Sequence, residues 1–402
     1  MLVLNLSRVE NEQMSELSPE RISLGNLLLA GSTAGDPSSE RGVSCDGELP
    51  APADPALRER AAAAKAALGS RLMILGHHYQ RDEVIEFADV TGDSFKLAQA
   101  AASRSESEYI VFCGVHFMAE SADILTSDAQ KVILPDLAAG CSMADMASAS
   151  QVDAAWSEFE KLGITSRTIP ITYMNSTAAI KAFTGRNGGT VCTSSNAERA
   201  MRWAFEKGEK IFFLPDQHLG RNTAILKLGL TAEDCVLWNP WKPMGGLTEE
   251  QIHSAKVILW RGHCSVHGRF SLENITDVRA RIPGINVLVH PECQNAVVSA
   301  ADLVGSTEFI IRTIESAPAG TAWAVGTELN LVKRLAQDHP DKQIHFLDKT
   351  VCYCSTMNRI DLPHLVYSLE SLVRGRVLNQ IQVEPSTAQA ARVALERMLA
   401  LP

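Results

Sequence analysis

The chain has 402 residues, of which 46% are apolar and 21% are charged, a composition typical of a globular protein rather than a disordered or fibrous one. Its 47 acidic residues outnumber its 37 lysines and arginines, and the resulting net charge of -10 disfavours nonspecific binding to nucleic acid. Without an apolar run of roughly 18 residues we expect no membrane span, and without a basic start followed by an apolar core we expect no secretory signal.

The N-terminal region differs in composition from the rest of the chain. Residues 1–52 mix Ser, Gly, Pro and Glu without sustained periodicity, and we predict a flexible N-terminal extension with one short helix near residues 22–29. Residues 55–68 are rich in Ala, Arg and Lys and predict the first helix of the folded part. The first buried strand is predicted at 71–75, and it runs into a polar segment at 76–79.

From this strand onward the chain repeats one pattern three times. Each third has a first apolar strand that ends in polar residues, a helix start with small residues, and a second apolar strand. The first strands are predicted at 72–79, 169–175 and 285–292, and the second strands at 109–113, 210–214 and 322–325. Strands that alternate with helical patterns imply βαβ units and parallel sheets. We therefore predict an α/β fold of three similar parallel-sheet domains.

The repeat also sets the predicted domain boundaries. We predict α/β domains at 53–165, 166–282 and 283–376, followed by a C-terminal helical segment at 377–402. In parallel α/β sheets, ligands bind beyond the carboxyl ends of the strands, near helix N-termini. Three such ends that faced a common axis would form one central pocket.

Three of the nine cysteines occupy equivalent ends of the repeats. Cys141, Cys264 and Cys354 lie beside Gly and Ser rather than in apolar runs, and Cys141 follows His77 at the same separation as Cys354 follows His290. A widely spread set of cysteines without a signal sequence indicates a reducing cytoplasm. Three thiolates from distant segments suit an iron–sulfur cluster with one open iron. Judged on spacing alone, inert buried thiols remain an equal alternative.

Polar side chains follow the first strand of every repeat. A single His or Tyr at a strand end is usually a cap or an interface residue, whereas six at matching positions favour a shared site. The six are His77, Tyr79, Tyr173, Asn175, His290 and Glu292.

Hydroxyl residues begin the predicted helices that follow these strands. They are Ser94, Ser194, Ser306 and Thr307. Such residues cap helices, and helix N-termini also bind carboxylate or phosphate groups. The surrounding glycines match neither a P-loop nor a dinucleotide fingerprint, so we predict no bound nucleotide. A further polar patch at 216–222 either lines the pocket or turns the chain.

Five segments in the same order resemble the quinolinate synthase family, over a stretch from about residue 65 to residue 370. They are 74–80, 114–120, 140–145, 290–293 and 304–307. The resemblance implies three α/β domains in a pseudo-threefold arrangement around a 4Fe–4S cluster and a central active site. It also implies a cytoplasmic enzyme of de novo NAD biosynthesis that condenses iminoaspartate with dihydroxyacetone phosphate to quinolinate, with loss of phosphate and two waters. L-aspartate oxidase or aspartate dehydrogenase would supply the iminoaspartate, and neither nucleic acid nor membrane is an expected partner.

The same resemblance assigns roles to individual residues. Cys141, Cys264 and Cys354 match the cluster ligands, with Cys192 and Cys352 as alternatives in the second and third repeats. Cys264 is preferred to Cys192 because Cys192 lies at the helix-start position of its repeat. The expected substrate contacts are His77, Ser94, Tyr173, Asn175, Ser194, Ser306 and Thr307. The expected proton-transfer residues are Glu292, His290 and Tyr79, and the open iron would act as a Lewis acid.

Two other functions fit the same residues. One is a different iron–sulfur dehydratase on a similar scaffold, with another product. The other is an iron–sulfur redox sensor, a function suggested by Cys352 near Cys354 and disfavoured by the density of acid–base residues.

Overall fold

The structure is a computed structural model that describes residues 54–103, 106–349 and 353–401. The predicted N-terminal extension, its short helix near 22–29 and the alternative ligand Cys352 lie outside the described residues. The described chain is α/β, with three mostly parallel sheets flanked by helices, which confirms the predicted fold class at that level. In the described part of the chain, no helix is both long and apolar enough to cross a membrane.

The first sheet has five strands in the order β14-β4-β3-β1-β2, in which β14 is Gln380–Ile381 near the end of the chain. Its elements before the second sheet are α1 (Leu57–Leu68), β1 (Leu72–His77), α2 (Asp82–Ile85), β2 (Val90–Gly92), α3 (Ser94–Ser103), β3 (Tyr109–Cys113), α4 (His116–Leu125) and β4 (Lys131–Ile133). The first helix begins two residues later than predicted, whereas β3 has the predicted bounds. β1 and β3 are buried at every position, as expected for strands covered on both faces.

The second sheet also has five strands, in the order β6-β5-β7-β9-β8. Its elements are α5 (Ser142–Asp145), α6 (Ala149–Lys161), β5 (Thr168–Tyr173), α7 (Ala178–Arg186), β6 (Thr190–Cys192), α8 (Ala197–Lys207), β7 (Lys210–Leu214), α9 (Gln217–Leu228), β8 (Cys235–Trp238), α10 (Glu249–Ser254) and β9 (Val257–Trp260). All of its strand pairs are parallel.

The third sheet has four parallel strands in the order β11-β10-β12-β13. Its elements are α11 (Leu272–Arg281), β10 (Asn286–Val289), α12 (Asn295–Ala300), β11 (Leu303–Val304), α13 (Thr307–Ser316), β12 (Ala322–Gly326), α14 (Leu329–Asp338) and β13 (Gln343–Phe346). The chain ends with α15 (Leu362–Val373), β14 (Gln380–Ile381) and α16 (Pro385–Ala400). β14 returns to the first sheet and pairs antiparallel with β4.

All three sheets share one local strand order. The first strand of each repeat lies inside its sheet, between the next two strands in sequence: β1 between β2 and β3, β5 between β6 and β7, and β10 between β11 and β12. These first strands end two or three residues earlier than predicted. His77 and Tyr173 are the last paired residues of β1 and β5, and the other polar residues follow the ladders. All of them are therefore available to a site at the carboxyl ends of the strands.

The C-terminal helix α16 packs along α7, and both helices contribute to the core that the first and second sheets share. Gly185 allows this close approach, because a Cβ at this position would collide with the carbonyl oxygen of Ala390. We expect Gly185→Ala to destabilise the protein by about 1–3 kcal/mol, since a main-chain atom cannot rotate away. Thermal and urea unfolding would measure the loss. Gly268→Ala is the control, because its added Cβ comes no closer than 3.5 Å to His263, and equal stability of the two variants would contradict the packing argument.

Candidate active site

One pocket collects the polar strand ends of all three sheets. It contains about 670 Å³ of space not filled by atoms. The predicted site residues on its wall are His77, Tyr79, Ser94, Cys141, Tyr173, Asn175, Ser194, Cys264, His290, Glu292, Thr307 and Cys354. The remaining predicted site residue, Ser306, caps α13 by accepting a hydrogen bond from the Phe309 N–H at 3.3 Å.

The helix starts differ from the capping pattern predicted for the serines. Asp93, rather than Ser94, caps α3, because its Oδ1 accepts from the Phe95 and Lys96 N–H groups at 3.1 and 2.9 Å. Ser194 lies three residues before α8, so it is not the cap of that helix either. The N-cap position of α8 is Asn196, whose side chain makes no capping hydrogen bond. Both serines nevertheless lie on the pocket wall.

Two histidines have the same local geometry in different repeats. The Tyr79 N–H donates to His77 Nδ1 at 3.2 Å, and the Glu292 N–H donates to His290 Nδ1 at 3.3 Å. Burial lowers the pKa of each ring to about 3, so both imidazoles are neutral near pH 7. Because Nδ1 accepts, the proton of each neutral ring is on Nε2. Each histidine therefore offers an N–H donor.

A hydrogen-bonded chain connects the tyrosine of the first repeat to the carboxylate of the third. The Tyr79 hydroxyl lies 3.0 Å from Thr307 Oγ1 and 2.8 Å from Thr327 Oγ1. Thr327 Oγ1 lies 3.2 Å from His267 Nε2, and His267 Nδ1 lies 2.8 Å from Glu292 Oε2. Burial raises the pKa of Tyr79 well above its ordinary value, so its phenol is a neutral donor. The chain links groups that can donate, relay and accept a proton.

Glu292 lies in a buried, hydrogen-bonded environment, with 2% of its surface exposed. Burial alone would raise the pKa of its carboxyl group. The adjacent His267 and His290 rings and the hydrogen bonds from His267 and Tyr173 outweigh burial, and they lower that pKa below its ordinary value. Glu292 is therefore a carboxylate near pH 7, and it accepts hydrogen bonds from two groups of the second repeat.

Each of the three predicted ligand cysteines precedes one short helical turn. The turns are α5 after Cys141, His267–Arg269 after Cys264 and Met357–Arg359 after Cys354. Backbone N–H groups of these turns donate to the sulfur atoms and lower the pKa values of the thiols. This repeated donor geometry stabilises thiolates, the form in which cysteine binds metals.

The three thiols also lie within electrostatic reach of one another. Burial raises the pKa of each thiol. For Cys141, burial and the charge of Cys354 together raise it to about 12 in spite of the backbone donors. The pKa of Cys264 is raised by burial, by Glu292 and by both other cysteines. Three partly buried thiolates would repel each other unless a positively charged centre bound them. The donor set therefore fits an iron–sulfur cluster.

The alternative ligand in the second repeat has a different environment. Cys192 ends β6, is fully buried and is not on the pocket wall. Burial, followed by the charge of Asp216, raises the pKa of its thiol, to which no backbone donor contributes. These features favour Cys264 as the ligand of this repeat.

A second donor set could hold a single metal ion. Ligand atoms of Cys264, His267 and Glu292 lie within 4.8 Å of one another. His267 and Glu292 are already hydrogen-bonded to each other at 2.8 Å, whereas the three-cysteine set contains no such pair. Cys264 belongs to both sets, so a cluster and an ion at this position would exclude each other.

Two acidic residues that sequence analysis did not single out as site residues support the cysteine segments. Asp216 and Glu328 each lie two residues after the second strand of their repeat and cap the following helix. The backbone N–H of Cys264 lies near Asp216 and acts to lower the pKa of its carboxyl group, and Glu328 Oε1 accepts from the Cys354 N–H at 3.3 Å. The patch at 216–222 thus both turns the chain and supports a pocket residue.

Comparison with known proteins identifies a family over most of the chain. The family model described as quinolinate synthetase A protein matches residues 59–400. A protein named quinolinate synthase from Streptomyces coelicolor is 66% identical over 392 residues, which are 97% of this chain and 99% of the relative. A protein of the same name from a Nocardioides species is 69% identical over 91% of this chain and 95% of the relative. A third protein of this name, from Geobacillus kaustophilus, is 58% identical over 86% of this chain and 93% of the relative.

Proposed function

This chain belongs to the quinolinate synthase family, and we propose that its pocket condenses iminoaspartate with dihydroxyacetone phosphate. It is an enzyme of quinolinate synthesis in NAD biosynthesis. One observation carries the proposal for the chemistry: three cysteines, each before a helical turn, share a pocket with the polar strand ends of all three sheets. L-aspartate oxidase or aspartate dehydrogenase would supply iminoaspartate in the cytoplasm.

The shared strand order supports a finer description of the fold. Each sheet would be the core of one α/β domain, at 53–165, 166–282 and 283–376, and residues 377–402 would complete the first two. The three domains would surround the pocket in a pseudo-threefold arrangement. The matching contacts of His77 and His290 support this equivalence, because both accept the N–H two residues ahead.

Cys141, Cys264 and Cys354 would hold a 4Fe–4S cluster. The mutual repulsion of their thiolates and the N–H donors at their sulfur atoms support that assignment. When bound, the cluster supplies a Lewis-acidic iron that makes a substrate hydroxyl a better leaving group. The overall reaction releases phosphate and two waters and involves no net oxidation.

The remaining residues of the pocket would bind and orient the two anionic substrates. His77 and His290 donate through Nε2, and Tyr173 and Asn175 extend the polar wall from the second sheet. The hydroxyl residues near the helix starts would bind carboxylate and phosphate groups, helped by the positive ends of the helices. They are Ser94, Ser194, Ser306 and Thr307.

Proton transfer would use the hydrogen-bonded chain from Tyr79 to Glu292. Tyr79, a neutral phenol, would donate to a developing oxyanion. Thr327 and His267 would connect this phenol to Glu292, which accepts the Nδ1–H of His267. His290, adjacent to Glu292, is the other candidate for proton transfer.

The proposed function predicts activity that depends on an intact metal centre. Protein purified without oxygen is expected to contain iron and sulfide and to form quinolinate from iminoaspartate and dihydroxyacetone phosphate. Air or a chelator should abolish activity, because the open iron is accessible to oxidants, and iron, sulfide and reductant should restore it. Iron analysis and quinolinate measurement on the same samples test this expectation.

Other results of these assays would identify the alternatives. Full turnover by metal-free protein would contradict the proposed chemistry. An intact cluster with no turnover of these substrates would favour another dehydratase or a redox sensor.

A further inference from the structure

A helix of the third sheet holds the segment that carries Tyr79. Arg334 on α14 donates from Nη1 to the His78 carbonyl at 3.0 Å and from Nη2 to the Gln80 carbonyl at 2.8 Å. Asn330, one turn earlier on α14, donates to the Tyr79 carbonyl at 3.1 Å. Three consecutive carbonyl groups after β1 are therefore bound by side chains of one helix.

The guanidinium group of Arg334 is fully engaged in this contact. Its Nε donates to Asp82 Oδ1 at 2.8 Å, and the side chain is 18% exposed. A planar guanidinium has a rigid fork of donors, so binding two carbonyls and one carboxylate fixes their relative positions. A lysine retains the charge but presents a single nitrogen at this position.

The contact limits the movement of two pocket residues. The Tyr79 N–H donates to His77 Nδ1, and the Tyr79 carbonyl accepts from Asn330, so both of its peptide groups are bound. We propose that Arg334 and Asn330 are positioning residues, which hold the side chains of His77 and Tyr79 in their reactive places. This inference rests on the proposed function, because the reaction determines what the two side chains are positioned for.

The same helix also contacts the turn after Cys354. Asn330 Nδ2 lies 3.2 Å from Asn358 Oδ1, and Asn358 Nδ2 donates to the Cys354 carbonyl at 3.0 Å. Arg81 donates to the Asn358 carbonyl at 3.0 Å. The positions of Tyr79 and Cys354 are thus set from one helix.

Variants of Arg334 test the proposal. We expect Arg334→Lys to lower kcat by at least ~10-fold and Arg334→Ala by ~100-fold, with KM changed much less, because a displacement of about 1 Å at reacting groups costs that much. Hydrogen–deuterium exchange should become faster in peptides covering residues 76–82 and remain unchanged in peptides of β3. Iron content should remain that of the wild type. Lys333→Ala is the matched control, because Lys333 is an exposed cation on the same helix.

Three results would overturn the proposal. The first is a normal kcat in Arg334→Ala. The second is a hydrogen–deuterium exchange rate at residues 76–82 of Arg334→Ala that equals the wild-type rate. The third is faster exchange throughout this variant, which would show that Arg334 stabilises the whole protein rather than this segment. A wild-type enzyme that formed no quinolinate would instead refute the proposed function, and the exchange data would still decide whether the segment is held.

Discussion

Replacement of Cys141, Cys264 or Cys354 by Ala is expected to remove most of the iron and all measurable quinolinate formation. Each thiol accepts hydrogen bonds from backbone N–H groups of its own helical turn. Electrostatic repulsion within the set raises the pKa values of Cys141 and Cys264. Loss of one ligand leaves two thiolates for a cluster that needs three. Iron, sulfide, the visible spectrum and the quinolinate rate should be measured anaerobically on the same preparations.

Two other cysteines provide matched controls for this substitution. Cys113 lies within β3 and Cys235 begins β8, and both are away from the pocket wall. Cys113→Ala and Cys235→Ala are expected to keep the cluster and most of the activity. A full cluster in Cys264→Ala together with a lost cluster in Cys192→Ala would show that the second repeat uses Cys192.

The sequence predicted those elements whose pattern is strong over several residues. β3 is a run of five apolar residues, β7 has four apolar residues after Lys210, and both have the predicted bounds. Strands that are buried on both faces are mostly apolar along their length. β2, β6 and β11 are two or three residues long, too short to show any period. The pairing of β14 with β4 was also inaccessible, because it joins residues far apart in the chain.

The candidate site could be predicted where residue type and repeat position agreed. His77, Tyr173 and His290 directly end or follow their strands, so the repeat itself identified them. Asp216 and Glu328 occupy an equivalent position after the second strands, but the first repeat has Val115 there, which concealed the pattern. Arg334 was also missed, because an arginine within a helix is usually solvated and its partners lie in a distant segment.

Glu292→Gln is expected to lower turnover by at least ~100-fold, within the ~10²–10⁴-fold range typical of general acid–base catalysis. Gln keeps the shape of Glu but has no negative charge and cannot exchange a proton in the same way. The amide also disturbs the contact with His267, because Nδ1–H of His267 now faces one oxygen and one NH2 group instead of two oxygens. The variant should fold, retain its iron and bind substrate, so the loss should appear in kcat.

The kinetics of this variant must be interpreted together with its iron content. Glu315→Gln is the control, because it makes the same chemical change at an exposed position of α13. Near-normal turnover of Glu292→Gln with an intact cluster would leave His290 and Tyr79 as the proton-transfer candidates. Loss of iron would assign Glu292 a structural role, because its carboxylate lies beside Cys264. Glu292 also accepts a hydrogen bond from the ring of His267, and the backbone N–H of His267 donates to Cys264. A lower kcat at full iron content would instead show that the carboxylate acts in the reaction itself.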